Sequence, residues 1–294
     1  ISSAEATAMD PAQRLLLDKG YAALHASSCN RNSLEGSVTG VFLGILGSDY
    51  AQVLFSSPAG ASVYAATAVA PSVASGRMAY TLGLHGPCAA YDTACSAALT
   101  ACHAGFRAVQ LSECAVSLAA GANLMFTPGA HRLLAVAGMT SPRGRCHTFD
   151  HRADGYARSE ALVTLALTRD HEEALRMLGS AVRNDGRSAS LTAPNGQAQA
   201  GLLEAAQACA AISPDVMAFV EAHGTGTALG DPIEVGSLGV MLNRREVKSG
   251  PLRVGGVKAN FGHAEAAAGL TGLLELAMGL RGGKLAPSAQ LCVL

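Results

Sequence analysis

Two stretches crowded with alanine, glycine and serine limit what this chain can fold into more than any other feature: 95–110 (CSAALTACHAGFRAVQ) and 264–280 (AEAAAGLTGLLELAMGL). Both read as helices, and small side chains around most of a helix surface let backbones approach closely. The pattern predicts two central helices packed between sheets rather than lying over one. Around them run short apolar segments that read as buried strands, at 40–46 (GVFLGIL), 114–119 (CAVSLA), 161–167 (ALVTLAL), 216–220 (VMAFV) and 254–257. Helical stretches alternate with these strands. The first begins at Asp10-Pro11, a capping residue followed by proline at the first helical position, and runs to about His25. Such alternation predicts an α/β fold built on mostly parallel sheet covered on both faces.

Each small-residue helix also starts beside a reactive side chain, Cys95 in one case and His263 in the other, which hints at an internal duplication. Two pseudo-duplicated halves are expected, about 1–170 with the cysteine and 171–294 with two histidines, joined in one compact unit. The most polar connection, 168–176 (TRDHEEALR), has too little proline or glycine for a flexible tether.

Charge excludes several function classes. With 21 basic and 22 acidic residues and a net charge of -1, no bulk field draws the chain to nucleic acid or a membrane surface. Hydrophobic residues make up 49% of the chain, yet no uninterrupted apolar run approaches the ~20 residues of a membrane span. Eight cysteines without a C-x-x-C pair, in a chain of 294 residues, fit a reducing compartment such as the cytoplasm better than a disulfide scaffold. The chain opens on Ile1-Ser2-Ser3 with no signal segment, as if cut from a longer one.

Cys95 follows Tyr91-Asp92-Thr93, which should end a strand, and falls in the first turn of the next helix, where unpaired N–H groups and the helix dipole favour a thiolate. Cys102, one heptad on, and Cys88, before the strand, lack that position and are expected to pack. His223 follows VMAFVEA and opens the Gly-Thr-Gly-Thr turn, which places an imidazole at the carboxyl end of a sheet. His263 follows a strand expected to reach Lys258. The other histidines, such as His25, His131 and His171, read as surface or satisfied core residues. No metal is expected, because Cys102-His103 and Cys146-His147 are adjacent pairs without finger spacing. GTGTALGD lacks the G-K-[ST] ending of a phosphate loop, so no nucleotide site is expected. A thiolate flanked by two imidazoles can hold an acyl group as a thioester while an enolate forms beside it.

DTACS, EAHGTGT and KANFGHAEAAAG are accompanied by MDPAQRLLL at 9–17, GRMAYTLGLHGPC at 76–88, CHTFDHRADGY at 146–156, NDGRSASLTAPNGQAQ at 184–199 and GDPIEV at 230–235. Together they resemble the β-ketoacyl synthase family of the thiolase superfamily, and most closely the ketosynthase domains of modular polyketide synthases. The resemblance covers nearly the whole chain. It implies a thiolase-like, five-layered αβαβα fold and a homodimer. It also implies substrates delivered on the phosphopantetheine arm of acyl carrier protein, neighbouring polyketide synthase domains, and no soluble cofactor. On the matching positions, Cys95 accepts the acyl chain, while His223 and His263 stabilise the enolate formed as a malonyl-type extender loses CO2. Lys258 and Glu265 match supporting positions that would pair beside the histidines, Thr225 and Thr227 would contact the pantetheine arm, and Tyr156 is a candidate pocket residue.

Departures from the family pattern are Ser159 where glycine is usual, Ala97-Ala98 where serines commonly follow the nucleophile, and a shorter segment after Leu167. The family's opening strand and its later glycine-rich loop, with a gating phenylalanine and an oxyanion-hole amide, lie outside this sequence, so a domain fragment lacking both ends is expected. The alternatives are a fatty acid synthase ketosynthase, a non-catalytic homologue that binds chains without extending them, and a Cys-His hydrolase.

Overall fold

The computed structural model of the protein describes residues 1–169, 175–246 and 250–293. His171 and the middle of the polar connection lie outside the described residues. The chain forms two compact units, one of Ile1–Leu133, Ser159–Glu173 and Ala264–Thr271, the other of Leu134–Arg158, Ala174–His263 and Gly272–Leu294.

The first unit is built on a four-stranded sheet of β1 (Thr39–Ile45), β2 (Cys88–Tyr91), β3 (Val116–Asn123) and β4 (Ala161–Thr168), in the order β2-β1-β3-β4. β1 is parallel to both neighbours, with Val41 opposite Cys88 and Leu43 opposite Ala120, and β4 alone is antiparallel, with Gly121 opposite Val163. Every residue of β1 is buried, so its apolar run has no polar alternation. Leu43 and Ile45 face α1 (Pro11–Ala26) and α2 (Pro71–Leu82), packing on Ala12, Leu16 and Ala74. Phe42 faces the other way, onto Ala101, Ala108 and Val109 of α3 (Ala97–Gln110). The α1 start is as expected: the Asp10 carboxylate accepts from Ala12 N–H at 2.7 Å ahead of Pro11.

The small-residue pattern has its explanation on this sheet. A Cβ on Gly44 would stand 2.4 Å from the main chain of Ala97 and Ala98, and one on Gly121 would stand 2.6 Å from Ala98 Cβ and 3.1 Å from Ala267 Cα. The first turn of α3 and the 264–271 segment therefore approach the strands at backbone distance, which larger side chains would forbid.

The second unit contains α4 (Gly196–Ala210), β5 (Phe219–Glu221), α5 (Gly230–Leu242), β6 (Arg253–Gly255) and most of α6 (Ala268–Gly282). β5 and β6 pair in parallel, Glu221 opposite Gly255. α4 and α5 pack together, and Ser237 Oγ donates to the Gly196 carbonyl at 3.0 Å.

Several boundaries differ from expectation for local reasons. The strand expected at 216–220 begins only at Phe219, because Ser213 caps a 3-10 turn opened by Pro214. The strand expected over 254–257 ends at Gly255, and Lys258 opens a short helix, Lys258–Phe261, rather than closing a strand. The helix expected from 264 starts as a 3-10 turn, Glu265–Ala267, and becomes α-helical only at Ala268, because Glu265 takes a left-handed φ of 43°. Among the described residues, no helix is long and apolar enough to cross a membrane.

Candidate active site

In the first unit, β2 delivers the chain to a tight turn before α3. Ala94 adopts φ 53°, a left-handed conformation uncommon for a residue with a Cβ. The turn is held by Asp92 Oδ1, which accepts from Ala94 N–H at 3.3 Å, and by the Ser96 hydroxyl, which donates to the Thr93 carbonyl at 2.8 Å. Ser96 is the helix cap, so Cys95 sits one residue ahead of it and not within the first helical turn. The thiol is partly exposed at the N-terminal end of a 14-residue helix whose first turn holds no acidic side chain, so the positive dipole end is not neutralised locally. Cys102 is buried, and burial pushes its thiol up to about 11, as suits a packing residue. Cys88 is exposed at the start of β2, contrary to the packing role expected for it. Glu265 is buried in this unit. His25 and His131 are exposed, as expected.

In the second unit, His223 leaves β5 through Ala222, and its main chain is gripped from both sides. The Glu234 carboxylate accepts from His223 N–H at 2.6 Å and from Gly224 N–H at 2.8 Å. Lys258 Nζ donates to the His223 carbonyl at 2.6 Å. The Gly-Thr-Gly-Thr turn needs its glycines: Gly224 and Gly226 have φ 46° and 78°, and a Cβ on Gly226 would stand 2.7 Å from His147 N. Thr148 Oγ1 donates to the Gly224 carbonyl at 2.6 Å, and Gly155 N–H donates to that of Gly226 at 2.9 Å. Asp231 accepts from the N–H groups of Gly226 (3.1 Å), Thr227 (3.3 Å) and Phe149 (2.8 Å), so one carboxylate ties the turn to the 146–155 loop. Thr225 is buried, and its hydroxyl lies 3.2 Å from that of Thr227, which accepts from Gly230 N–H.

His263 N–H donates to the Ala157 carbonyl at 2.7 Å. Its ring stands edge-on to Tyr156, with centroids 4.8 Å apart, and lies 5.5 Å from the His223 ring at 89°. Burial, reinforced by the Lys258 ammonium, pushes the His223 imidazole down to about 3. Burial, Lys258 and His223 push His263 down to about 2. His223 is surrounded by protein closely enough for desolvation to dominate although part of the residue reaches solvent, whereas His263 is 3% exposed. At neutral pH both rings are therefore neutral, each carrying one N–H. Nearly perpendicular neutral imidazoles at this spacing can offer two donors to one developing oxyanion.

The second unit thus brings together His223, His263, Lys258, Thr225 and Thr227, while Cys95 and Glu265 belong to the first. Sequence reasoning gave no role to Glu234, Asp231 or Thr148. The available signal was GDPIE, which puts two acids three residues apart at the start of a helix after a glycine-rich turn, the spacing of one helix face.

Comparison with known proteins is consistent along the whole chain. Residues 1–173 match the family model described as Beta-ketoacyl synthase, N-terminal domain, and residues 175–291 match Beta-ketoacyl synthase, C-terminal domain. Polyketide synthase GfsB of Streptomyces halstedii is 44% identical over 292 residues, which cover 97% of this chain and 5% of that protein. Spectinabilin polyketide synthase system protein NorC of Streptomyces orinoci is 42% identical over 295 residues, 98% of this chain and 13% of the relative. Among solved structures, the ketosynthase from module 6 of the bacillaene synthase from Bacillus subtilis 168 aligns with a TM-score of 0.91 at 32% identity, covering 100% of this chain and 52% of that one. The oxazolomycin ketosynthase domain OzmH KS7 of Streptomyces albus aligns with a TM-score of 0.90 at 32% identity, over 99% and 52%. The chain therefore spans a small part of the first two relatives and about half of the solved chains, and it shares their thiolase-like α/β fold.

Proposed function

The chain belongs to the β-ketoacyl synthase family, and from that premise we propose that the protein containing it catalyses the decarboxylative Claisen condensation of polyketide synthesis. The Cys95 thiolate attacks an acyl thioester, and the carrier's pantetheine thiol leaves. A malonyl-type thioester on acyl carrier protein then loses CO2, and the electron pair of the broken C–C bond becomes an enolate. The enolate carbon attacks the acyl-Cys95 carbonyl, forms the new C–C bond and expels the Cys95 thiolate. His223 and His263 each donate an N–H to the thioester oxygen as negative charge grows there.

The observation that carries this reading is the pair of neutral, nearly perpendicular imidazoles on a main chain anchored by Lys258 and Glu234. A hydrolase needs a base to activate water, and two rings pushed this far down are poor bases at neutral pH but remain donors.

The same reading gives the finer roles. Lys258 pairs with Glu265 to hold the histidine region, and Thr225 and Thr227 contact the pantetheine arm. The halves divide near residues 170 and 171, and the protein works as a homodimer beside other polyketide synthase domains in a reducing cytoplasm. Substrates arrive on phosphopantetheine, with no separate cofactor.

The test is acyl transfer to the full-length protein. Radiolabel from an acyl thioester should become covalently attached, and Cys95→Ala should abolish both the label and the ketoacyl product. Label that persists in the variant overturns the assignment. Tight carrier-protein binding without ketoacyl product identifies a chain-binding homologue instead.

A further inference from the structure

Glu221 is the last residue of β5, where it pairs with Gly255 of β6. The ladder survives one residue more, with Ala222 N–H donating to the Gly255 carbonyl at 2.9 Å. Beyond that point the two chains enter the loops that carry His223 and Lys258. There a side chain replaces the main chain: Val257 N–H donates to Glu221 Oε1 at 2.6 Å.

The carboxylate is costly to keep in this position. Burial raises it above the ordinary value and Glu275 and Glu234 add repulsion, while Val257 N–H and the Lys258 ammonium pull it down. Gly272 makes room for it, since a Cβ there would stand 3.1 Å from Glu221 Cγ. The site therefore holds a half-buried carboxyl group that a plain strand end does not need.

We propose that Glu221 is a positioning residue for the condensation: by holding Val257 N–H it fixes the turn from which Lys258 reaches the His223 carbonyl, and so fixes the His223 imidazole. The inference rests on the condensing function proposed above. Two side chains cross between the loops in opposite directions, Glu221 from the histidine strand to Val257 and Lys258 back to His223. Without Glu221, the Val257 amide loses its acceptor and one of the two crossings opens.

The full-length protein should be compared with Glu221→Gln, which keeps an acceptor oxygen but no charge, and Glu221→Ala, which keeps neither. Three measurements apply: acylation of Cys95 by an acyl thioester, CO2 release from a malonyl thioester on carrier protein, and amide exchange at Val257. Glu221→Ala is expected to acylate Cys95 at the wild-type rate and to lose about 10²-fold in kcat for decarboxylation, the usual cost of a small misplacement. KM should stay unchanged, since ground-state binding is untouched. Exchange at Val257 should speed about tenfold or more as its hydrogen bond is lost, and Glu221→Gln should restore both protection and most of kcat. Wild-type decarboxylation or unchanged exchange in the alanine variant overturns the proposal, as does a glutamine variant no better than alanine. If the alanine variant does not fold, Glu221→Asp takes its place, one methylene shorter than needed to reach Val257; aspartate as fast as glutamine overturns the proposal. A wild-type protein that neither loads acyl groups nor releases CO2 sinks the condensing function separately, and the Val257 hydrogen bond is then judged by amide exchange alone.

Discussion

Gly44→Ala should displace the nucleophile while leaving every reactive group in place. A Cβ at residue 44 would lie 2.4 Å from Ala97 C and Ala98 N and 2.5 Å from Ala98 Cα, where heavy atoms normally rest about 3.5 Å apart. Relief requires the strand and the first turn of α3 to separate by about 1 Å. Neither side yields easily, because Ala97 and Ala98 are fully buried and Ala98 is also pressed toward β3 at Gly121. Overpacking of this kind costs about 1–3 kcal/mol, or roughly 2–4 °C in Tm per kcal/mol for a domain of this size. Cys95 lies two residues ahead of Ala97, so a shift of about 1 Å should also slow its acylation by up to about 10²-fold. Gly76→Ala is the matched control. Residue 76 is inside α2 at an ordinary φ with open space where the methyl would go, so alanine there should stabilise by about 0.5–1 kcal/mol. Denaturant unfolding and mass-spectrometric acylation of Cys95 in the full-length protein read both effects. A Gly44→Ala protein with wild-type stability and acylation refutes the close approach of α3 to β1, and equal damage from Gly76→Ala refutes the mechanism.

Two further perturbations follow from buried titratable groups. His263 titrates at about 2 in the folded protein against 6.5 for a free imidazole, so between those values only the unfolded chain binds the proton. Stability is then lost as pH falls through about 6.5, by up to about 1.4 kcal/mol per pH unit from this residue. His223 acts in the same direction, while the raised carboxyls of Glu221, Asp231 and Glu234 act in the opposite one. The difference between wild type and His263→Gln in urea unfolding across this range isolates the histidine, and an unchanged pH slope in the variant refutes the argument. The Asp150 carboxylate accepts from Cys292 N–H (2.7 Å), Val293 N–H (3.1 Å) and the Arg152 guanidinium, which holds it well below the usual carboxylate range. Asp150→Ala, which removes the acceptor, should speed amide exchange at Cys292 and Val293 by about tenfold or more, and unchanged exchange there refutes the anchoring role.

Much of the fold was legible because its signals are local. The apolar runs of β1 and β4 and the Asp10-Pro11 cap are properties of adjacent residues, and they fall close to where they were expected. The displaced boundaries depend on partners elsewhere or on single backbone conformations. β3 continues past the expected end to Asn123 because β1 and β4 supply hydrogen-bond partners along its alanine-rich run. Cys95 falls ahead of its helix because Ala94 turns left-handed.

The sequence by itself singled out Cys95, His223 and His263 as candidate reactive groups from residue type and immediate context, and its small-residue stretches already require backbones to approach closely. Only the tertiary structure decided what holds the histidines. The Lys258 ammonium donates to the His223 carbonyl, 35 residues away in the chain. Glu234 meets its amide partner 11 residues away and Glu221 meets its partner 36 away, both through main-chain N–H groups that every residue but proline possesses. An acidic side chain reveals nothing about which amide it will accept from, because that choice is made by where the strands end and how the loops fold back.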